Sequence, residues 1–194
     1  MESNIIQKIF PIFHDKDNLP KYDQEGLWSI TYPKEAEYIS NLIKSELGKE
    51  STIVDATAGI GGNTISFAKH FKHVISIELC KTRFDLLAHN VQVYNLNNVT
   101  LINGDCLEKI KGDSKGYFFD PPWGGPDYKY NKTTKIKLGN FSLEQVVHKI
   151  KHENENDILI FIKLPFNYDM SEFSKFNYKI DKIKNYQMIT IYQD

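Results

Sequence analysis

Two cysteines, Cys80 and Cys106, are all the sulfhydryl chemistry in 194 residues. Their separation fits no metal-ligand spacing, and so few thiols suit a reducing, intracellular compartment, cytoplasm or nucleus. There is no excess of basic charge: 24 Lys and Arg face 25 Asp and Glu, a formal net charge of −1. A non-specific grip on long duplexes needs a basic surface, so this balance argues against them as partners and leaves small nucleotides and nucleic-acid ends. No apolar run approaches the roughly 20 residues that cross a bilayer, so no membrane partner is expected. The opening MESNIIQKIF has neither the basic flank nor the long apolar core of a secretory signal. Repeats and low-complexity linkers are absent. His70, His73 and His89 show neither a carboxylate partner nor a ligand spacing, so neither catalysis by histidine nor a metal site is expected.

What is present suffices for a folded domain. Hydrophobic residues make up 41% of the chain and charged residues 25%, the balance of a globular protein. From about residue 50 strands and helices alternate. TIVDA, HVISIEL, VTLING, GYFFD and DILIFIK read as strands over 52–56, 73–79, 99–104, 116–120 and 157–163. KTRFDLLAHNVQVY reads as a helix through Phe84, Leu87, Val91 and Tyr94, and FSLEQVVHKI as one with Ser142 as N-cap and Glu144 in its first turn. YKIDKIK and YQMITIY alternate as a hairpin should. Strands separated by helices predict a mostly parallel sheet covered on both faces, with the antiparallel hairpin at its C-terminal end. Ahead of this core, Pro33 opens a helix after Thr31 and Tyr32. The preceding residues form an extension, with IIQKIFPIF helical and DKDNLPKYDQEG a turn-rich link.

Two motifs carry chemistry. VDATAGIGGNT sets Asp55, Gly59, Gly61 and Gly62 between a strand and a helix, where open α/β sheets bind ligands. The pattern is neither the dinucleotide Gly-x-Gly-x-x-Gly nor a P-loop, so phosphate cradling is not favoured. Glu78 closes the second strand and Asp105 follows the third. A carboxylate at the loop, one for ribose hydroxyls and one near an adenine amine suit a cofactor with an amino group, a ribose and no phosphates. That description fits S-adenosylmethionine, whose sulfonium and ammonium also favour anionic surroundings. A glycine turn with solvated acids is the plainer alternative.

The second motif is Asp120-Pro121-Pro122-Trp123, after the fourth strand. Proline cannot donate a hydrogen bond, so the local carbonyls and the Asp120 carboxylate make an acceptor-only corner. Such a corner suits an exocyclic amine, which has two hydrogens to give. Holding both steers the nitrogen lone pair, otherwise delocalised into the base, toward a methyl group. A strong base is not required, because the amine becomes acidic once methylated. Trp123 is expected to stack on the base, worth roughly 1–3 kcal/mol.

DPPW matches the Asp/Asn/Ser-Pro-Pro-aromatic motif of amino-methyltransferases acting on bases. The longer DPPWGGPDY with VDATAGIGGNTISFA, and DQEGLWSITYPKEAEYI before them, resemble the trimethylguanosine synthases over roughly residues 5 to 130. The resemblance implies a Rossmann-like class I S-adenosylmethionine-dependent methyltransferase domain over 33–194, with an N-terminal helical extension, residues 1–32, covering the active site. It implies methyl transfer to the exocyclic amine of 7-methylguanosine at a capped RNA 5′ end or cap analogue, giving a dimethyl or trimethyl product. On that reading Asp120, Pro121 and Trp123 are catalytic. Asp55, Ala56, Gly59, Gly61, Asn63, Thr64, Glu78, Leu79, Asp105, Cys106 and Asp120 hold the cofactor. Trp123, Ser29, Thr31, Tyr128, Asn167 and Phe13 meet the substrate. A cationic 7-methylguanine would favour the Trp123 π-face over plain guanine by up to about 2 kcal/mol. One departure stands out: an arginine expected to hold cap phosphates is Phe166 here, in Leu164-Pro165-Phe166-Asn167. Lys163, Lys129, Lys132 and Tyr128 are the groups that could take its place. A monomer is expected. The alternatives are an amino-methyltransferase acting on adenine or guanine within RNA or DNA, and a non-catalytic cap-binding module.

Overall fold

The computed structural model describes residues 2–11, 13, 18–112, 114–154 and 157–193. The chain divides into two compact units, Met1–Lys109 and Ile110–Asp194.

In the first unit the extension supplies α1 (Glu2–Ile9) and α2 (Gln24–Ser29), followed by α3 (Pro33–Leu47). Then come β1 (Thr52–Asp55), α4 (Gly62–His70), β2 (His73–Glu78), α5 (Lys81–Val93), β3 (Val99–Asn103) and α6 (Cys106–Lys109). The strands run β3-β2-β1, all parallel, with Asp55 opposite Ser76 and Glu78 opposite Asn103. This register sets Asp55 and Glu78 at the carboxyl ends of neighbouring strands, as the sequence predicts. Each of these three strands stops a residue short of its expected end, so Asp55 and Glu78 are the last residues of β1 and β2, and Asp105 lies two residues past β3.

The helical reading of IIQKIFPIF holds only to Ile9; beyond Phe10 stands Pro11, which has no amide hydrogen to continue the helix. The turn-rich link hides α2, a short helix whose N-cap Asp23 accepts from the Gly26 amide at 2.7 Å. Residue 12 of the first segment and residues 15–17 of the link lie outside the described residues. Pro33 does open α3, but the N-cap is Tyr32 without a side-chain cap, and Thr31 has a different task.

The extension shares the unit's core. Ile9, Phe10 and Ile30 pack with Ile60 and Ile65 of the glycine loop and α4. Burying such side chains contributes about 1.5–3 kcal/mol each. Buried Asn90 of α5 ties the same pieces together through polar contacts. It accepts from the Lys21 amide at 2.7 Å and donates to the Lys21 and Ile60 carbonyls at 2.9 Å each. The Tyr94 hydroxyl donates to the Pro11 carbonyl at 2.6 Å.

The second unit holds β4 (Gly116–Phe119), a 3₁₀ turn at Pro126–Tyr130, and the short pair β5 (Lys137–Leu138) and β6 (Phe141–Ser142). Next are α7 (Leu143–His152), β7 (Leu159–Leu164), a 3₁₀ turn at Met170–Phe173, and the hairpin β8 (Tyr178–Ile183) with β9 (Tyr186–Tyr192). Its strands are ordered β4-β7-β9-β8, parallel between β4 and β7 and antiparallel after that. Ser142 caps α7 in a full capping box with Gln145. Strands β4 and β7 are almost wholly buried and apolar except for Lys163.

Candidate active site

The first unit builds a glycine loop braced by carboxylates. Gly59 and Gly61 have φ of +56° and +104°, left-handed conformations that strain side-chain-bearing residues. Gly61 is the N-cap of α4. Glu78 reaches back and accepts from the Gly59 amide at 2.8 Å, while its other oxygen accepts from the Cys80 amide at 2.8 Å. It is thus a loop anchor as well as a strand-end acid. Arg83 pairs with Glu25 of α2 at 2.6 Å and lies 3.6 Å from Glu78, so one guanidinium links the extension to the loop's carboxylate. Arg83 carried no signal in the sequence, because both partners are distant along the chain.

Asp55 sits beneath the loop with 0% of its surface exposed. It accepts from the Thr64 hydroxyl at 2.7 Å, and Thr64 shares a 2.9 Å bond with Ser76. These residues join β1, α4 and β2; their contribution to the site is to hold the loop's shape from below. Ala56 is buried beside them. Asn63 donates to the Thr31 hydroxyl at 3.1 Å, and its carbonyl oxygen is buried with no hydrogen-bond partner among the described residues. Thr31 is therefore a brace between extension and α4. Ser29 is exposed and donates to the Glu25 carbonyl within α2, while Phe13 is half-buried.

Asp105, directly before α6, accepts from the Leu107 amide at 2.9 Å. Burial, then the neighbouring Asp105 charge, pushes the Cys106 thiol up to about 12, so it stays protonated at neutral pH. Leu79, beside Glu78, is 69% exposed, an apolar surface next to two carboxylate-bearing strand ends. This combination of apolar face and acceptors is what a flat, amine-bearing ring would need.

The second unit builds the Asp-Pro-Pro-Trp corner. Pro121 is buried, Pro122 exposed and Trp123 half-buried. Gly124 and Gly125 follow with φ of +89° and +83°, so the chain reverses sharply after the indole. The Trp123 indole N–H donates to the Lys163 carbonyl at 3.3 Å, and its ring meets Tyr128 edge-on at 5.1 Å. Burial raises the Tyr128 hydroxyl above its ordinary value. Asn167 donates to the Tyr128 carbonyl at 2.8 Å and to the Asn131 carbonyl at 2.9 Å. Both amide hydrogens thus clamp the loop that carries Trp123 and Tyr128.

Lys163 corrects the expectation that it stands in for a phosphate-binding arginine. It is 7% exposed and its ammonium lies 2.8 Å from Asp120 Oδ2. Phe166 is 50% exposed and apolar, while Lys129 lies over the Tyr128 ring at 5.8 Å. Lys132 is exposed. His70 also departs from expectation, with a carboxylate partner in Glu37 at 3.0 Å. It bonds the Ser66 carbonyl as well, so its role is to tie α4 to α3. Among the described residues no three His, Cys, Asp or Glu cluster as a metal site. No helix among them is long and apolar enough to cross a membrane.

Comparison with known proteins gives this arrangement a family. Residues 50–193 match the RNA cap guanine-N2 methyltransferases. The chain is 34% identical over 190 residues to an uncharacterized protein of Acanthamoeba polyphaga mimivirus, covering 84% of this chain and 72% of that protein. It is 37% identical over 131 residues to the trimethylguanosine synthase of Schizosaccharomyces pombe, 60% of this chain and 54% of the relative. For the trimethylguanosine synthase of Saccharomyces cerevisiae the identity is 28% over 181 residues, 87% of this chain and 56% of the relative. The chain therefore spans about half the length of the yeast relatives. Among solved structures, an RNA methyltransferase from Salinibacter ruber in complex with S-adenosyl-L-homocysteine matches with TM-score 0.59 at 10% identity, covering 80% of this chain and 90% of that one. A methyltransferase from Geobacter sulfurreducens matches with TM-score 0.61 at 14% identity, covering 86% and 81%. These likenesses show the Rossmann-like class I methyltransferase fold. With the glycine loop, the strand-end acids and the Asp-Pro-Pro-Trp corner in one chain, the protein is a methyltransferase and belongs to the RNA cap guanine-N2 methyltransferase family.

Proposed function

We propose that this methyltransferase moves a methyl group from S-adenosylmethionine to the exocyclic amine of a guanine at an RNA 5′ cap. The observation that carries the reading is the acceptor corner of the second unit. There Asp120 is held by Lys163, two prolines withhold donors, and Trp123 is fixed through its indole N–H. A carboxylate offers about four lone-pair sites, so an amine hydrogen can share Asp120 with the lysine.

The first unit fits the cofactor by its donor set. Glu78 suits the ribose hydroxyls, Asp105 the adenine amine, and Leu79 an adenine face. The buried Asn63 carbonyl oxygen is an acceptor for an ammonium group. Gly59 and Gly61 allow close backbone approach, and Asp55 with Thr64 keeps the loop in place beneath. When bound, the cofactor supplies an electrophilic methyl on a sulfonium. Handing that methyl to the amine would leave the cofactor as a neutral thioether, so no further leaving group has to be accommodated.

The chain's own residues do the rest. Asp120 and the Pro121 carbonyl take the amine hydrogens and point the lone pair. Trp123 holds the ring by stacking, and Asn167 keeps Trp123 and Tyr128 on one rigid loop. The methylated nitrogen is acidic and loses its proton to Asp120 or to water. With Phe166 at the position of the phosphate-binding arginine, recognition rests more on the base than on the phosphates.

The test is methyl transfer from labelled S-adenosylmethionine to a 7-methylguanosine cap analogue, with an adenine oligonucleotide alongside. Transfer to the cap analogue is expected, with Asp120→Ala lowering kcat about 100-fold or more. Trp123→Ala is expected to weaken substrate use by about 10-fold or more, from lost stacking. Transfer to the oligonucleotide and not to the cap analogue would overturn the cap reading.

A further inference from the structure

Lys163 interrupts an otherwise apolar buried strand, LIFIKL. Its ammonium lies 2.8 Å from Asp120 Oδ2, 5.6 Å from the centroid of the Trp123 ring and 5.0 Å from that of the Tyr186 ring. Its backbone carbonyl receives the Trp123 indole N–H. Burying an ammonium is costly unless it is paired, and here one residue touches both groups proposed to hold the base. Its charge therefore acts directly on how that base is read.

Two effects run in the same direction. A cation against the Trp123 π-system already draws on the ring's quadrupole, so a second cation stacking on that ring gains less. The same ammonium compensates the Asp120 carboxylate, which alone would attract a positively charged base. Guanine methylated at its ring nitrogen is positively charged, and plain guanine is neutral. Resting on the reading of Asp120 and Trp123 as base-holding residues, we propose that Lys163 is a specificity-determining residue. It lowers the site's preference for cationic 7-methylguanine over neutral guanine.

The experiment compares kcat/KM for a 7-methylguanosine cap analogue and its unmethylated counterpart in the wild type and three variants. Lys163→Gln keeps a donor for Asp120 without the charge, Lys163→Met removes both, and Lys163→Arg keeps the charge. Circular dichroism identifies which variants are folded. Each neutral variant is expected to raise the ratio in favour of the methylated cap by about fivefold or more, while Lys163→Arg stays within about twofold of wild type. A residue that only packs would lower both substrates together and leave the ratio unmoved; that result overturns the proposal. Should the wild type methylate neither cap, the cap reading fails separately. The Lys163 proposal then rests on calorimetric affinities for 7-methyl-GTP and GTP in the same variants. The same shift in ratio upholds it, and an unchanged ratio or no binding of either nucleotide overturns it.

Discussion

Cys106 is a residue whose chemistry the fold changes: burial and the Asp105 charge push its thiol up to about 12. The folded state thus holds this proton more tightly than the unfolded chain does. The stability this contributes is intact below about pH 9 and lost as pH rises toward about 12, because only the unfolded chain gains by ionising. Burial raises the Tyr94 and Tyr168 hydroxyls in the same sense. Urea unfolding at about pH 8 and about pH 10.5 is expected to show a marked alkaline loss of stability, and Cys106→Ala to lessen that loss. Half-buried Cys80 should react with a thiol reagent in the native protein while Cys106 waits for unfolding.

Among the elements, the extension and the glycine loop are fitted to each other closely enough to leave no room for a methyl group. A Cβ on Gly62 would lie 2.7 Å from Ile30 Cγ1 and 2.9 Å from the Thr31 carbonyl oxygen. One on Gly26 would lie 2.8 Å from Ile60. Gly62 is in α4, where alanine would otherwise favour the helix by about 1 kcal/mol. Gly62→Ala is nevertheless expected to destabilise the protein by about 1–3 kcal/mol, because the extension's backbone must shift. Denaturant unfolding reads the sign directly. A stabilising Gly62→Ala would mean that the run GLWSITYP packs loosely. Ser142→Ala, which breaks the capping box of α7, is expected to cost about 1 kcal/mol in the same measurement.

At the scale of the molecule, the near-balance of charge bears on the proposed cap substrate. With a net charge of −1 and an apolar Phe166 in place of an arginine, binding should depend on the cap base and little on the chain beyond it. The KM for a capped 20-nucleotide RNA is therefore expected to lie within about threefold of that for the cap dinucleotide, with a shallow salt dependence. A steep gain with length would point to phosphate contacts that the acidic and basic residues, taken together, do not suggest.

Local signals were enough to read the alternating strands and helices, the Ser142 cap, the C-terminal hairpin, the glycine loop and the Asp-Pro-Pro-Trp motif. Each depends on residue type and periodicity within a few turns of chain, and the family followed from the motifs together. The short α2 was not legible, because six residues carry too little periodicity and only the Asp23 cap marks its start. Nor were the long-range partners: Arg83 with Glu25, Asn90 with Lys21 and Ile60, Asn167 with its loop, and Lys163 with Asp120. Sequence alone determined which chemistry-bearing residues this protein has and which strand ends carry them. Only the tertiary structure decided which acids brace the loop and which lysine is buried against Asp120, because those assignments depend on contacts between residues tens of positions apart.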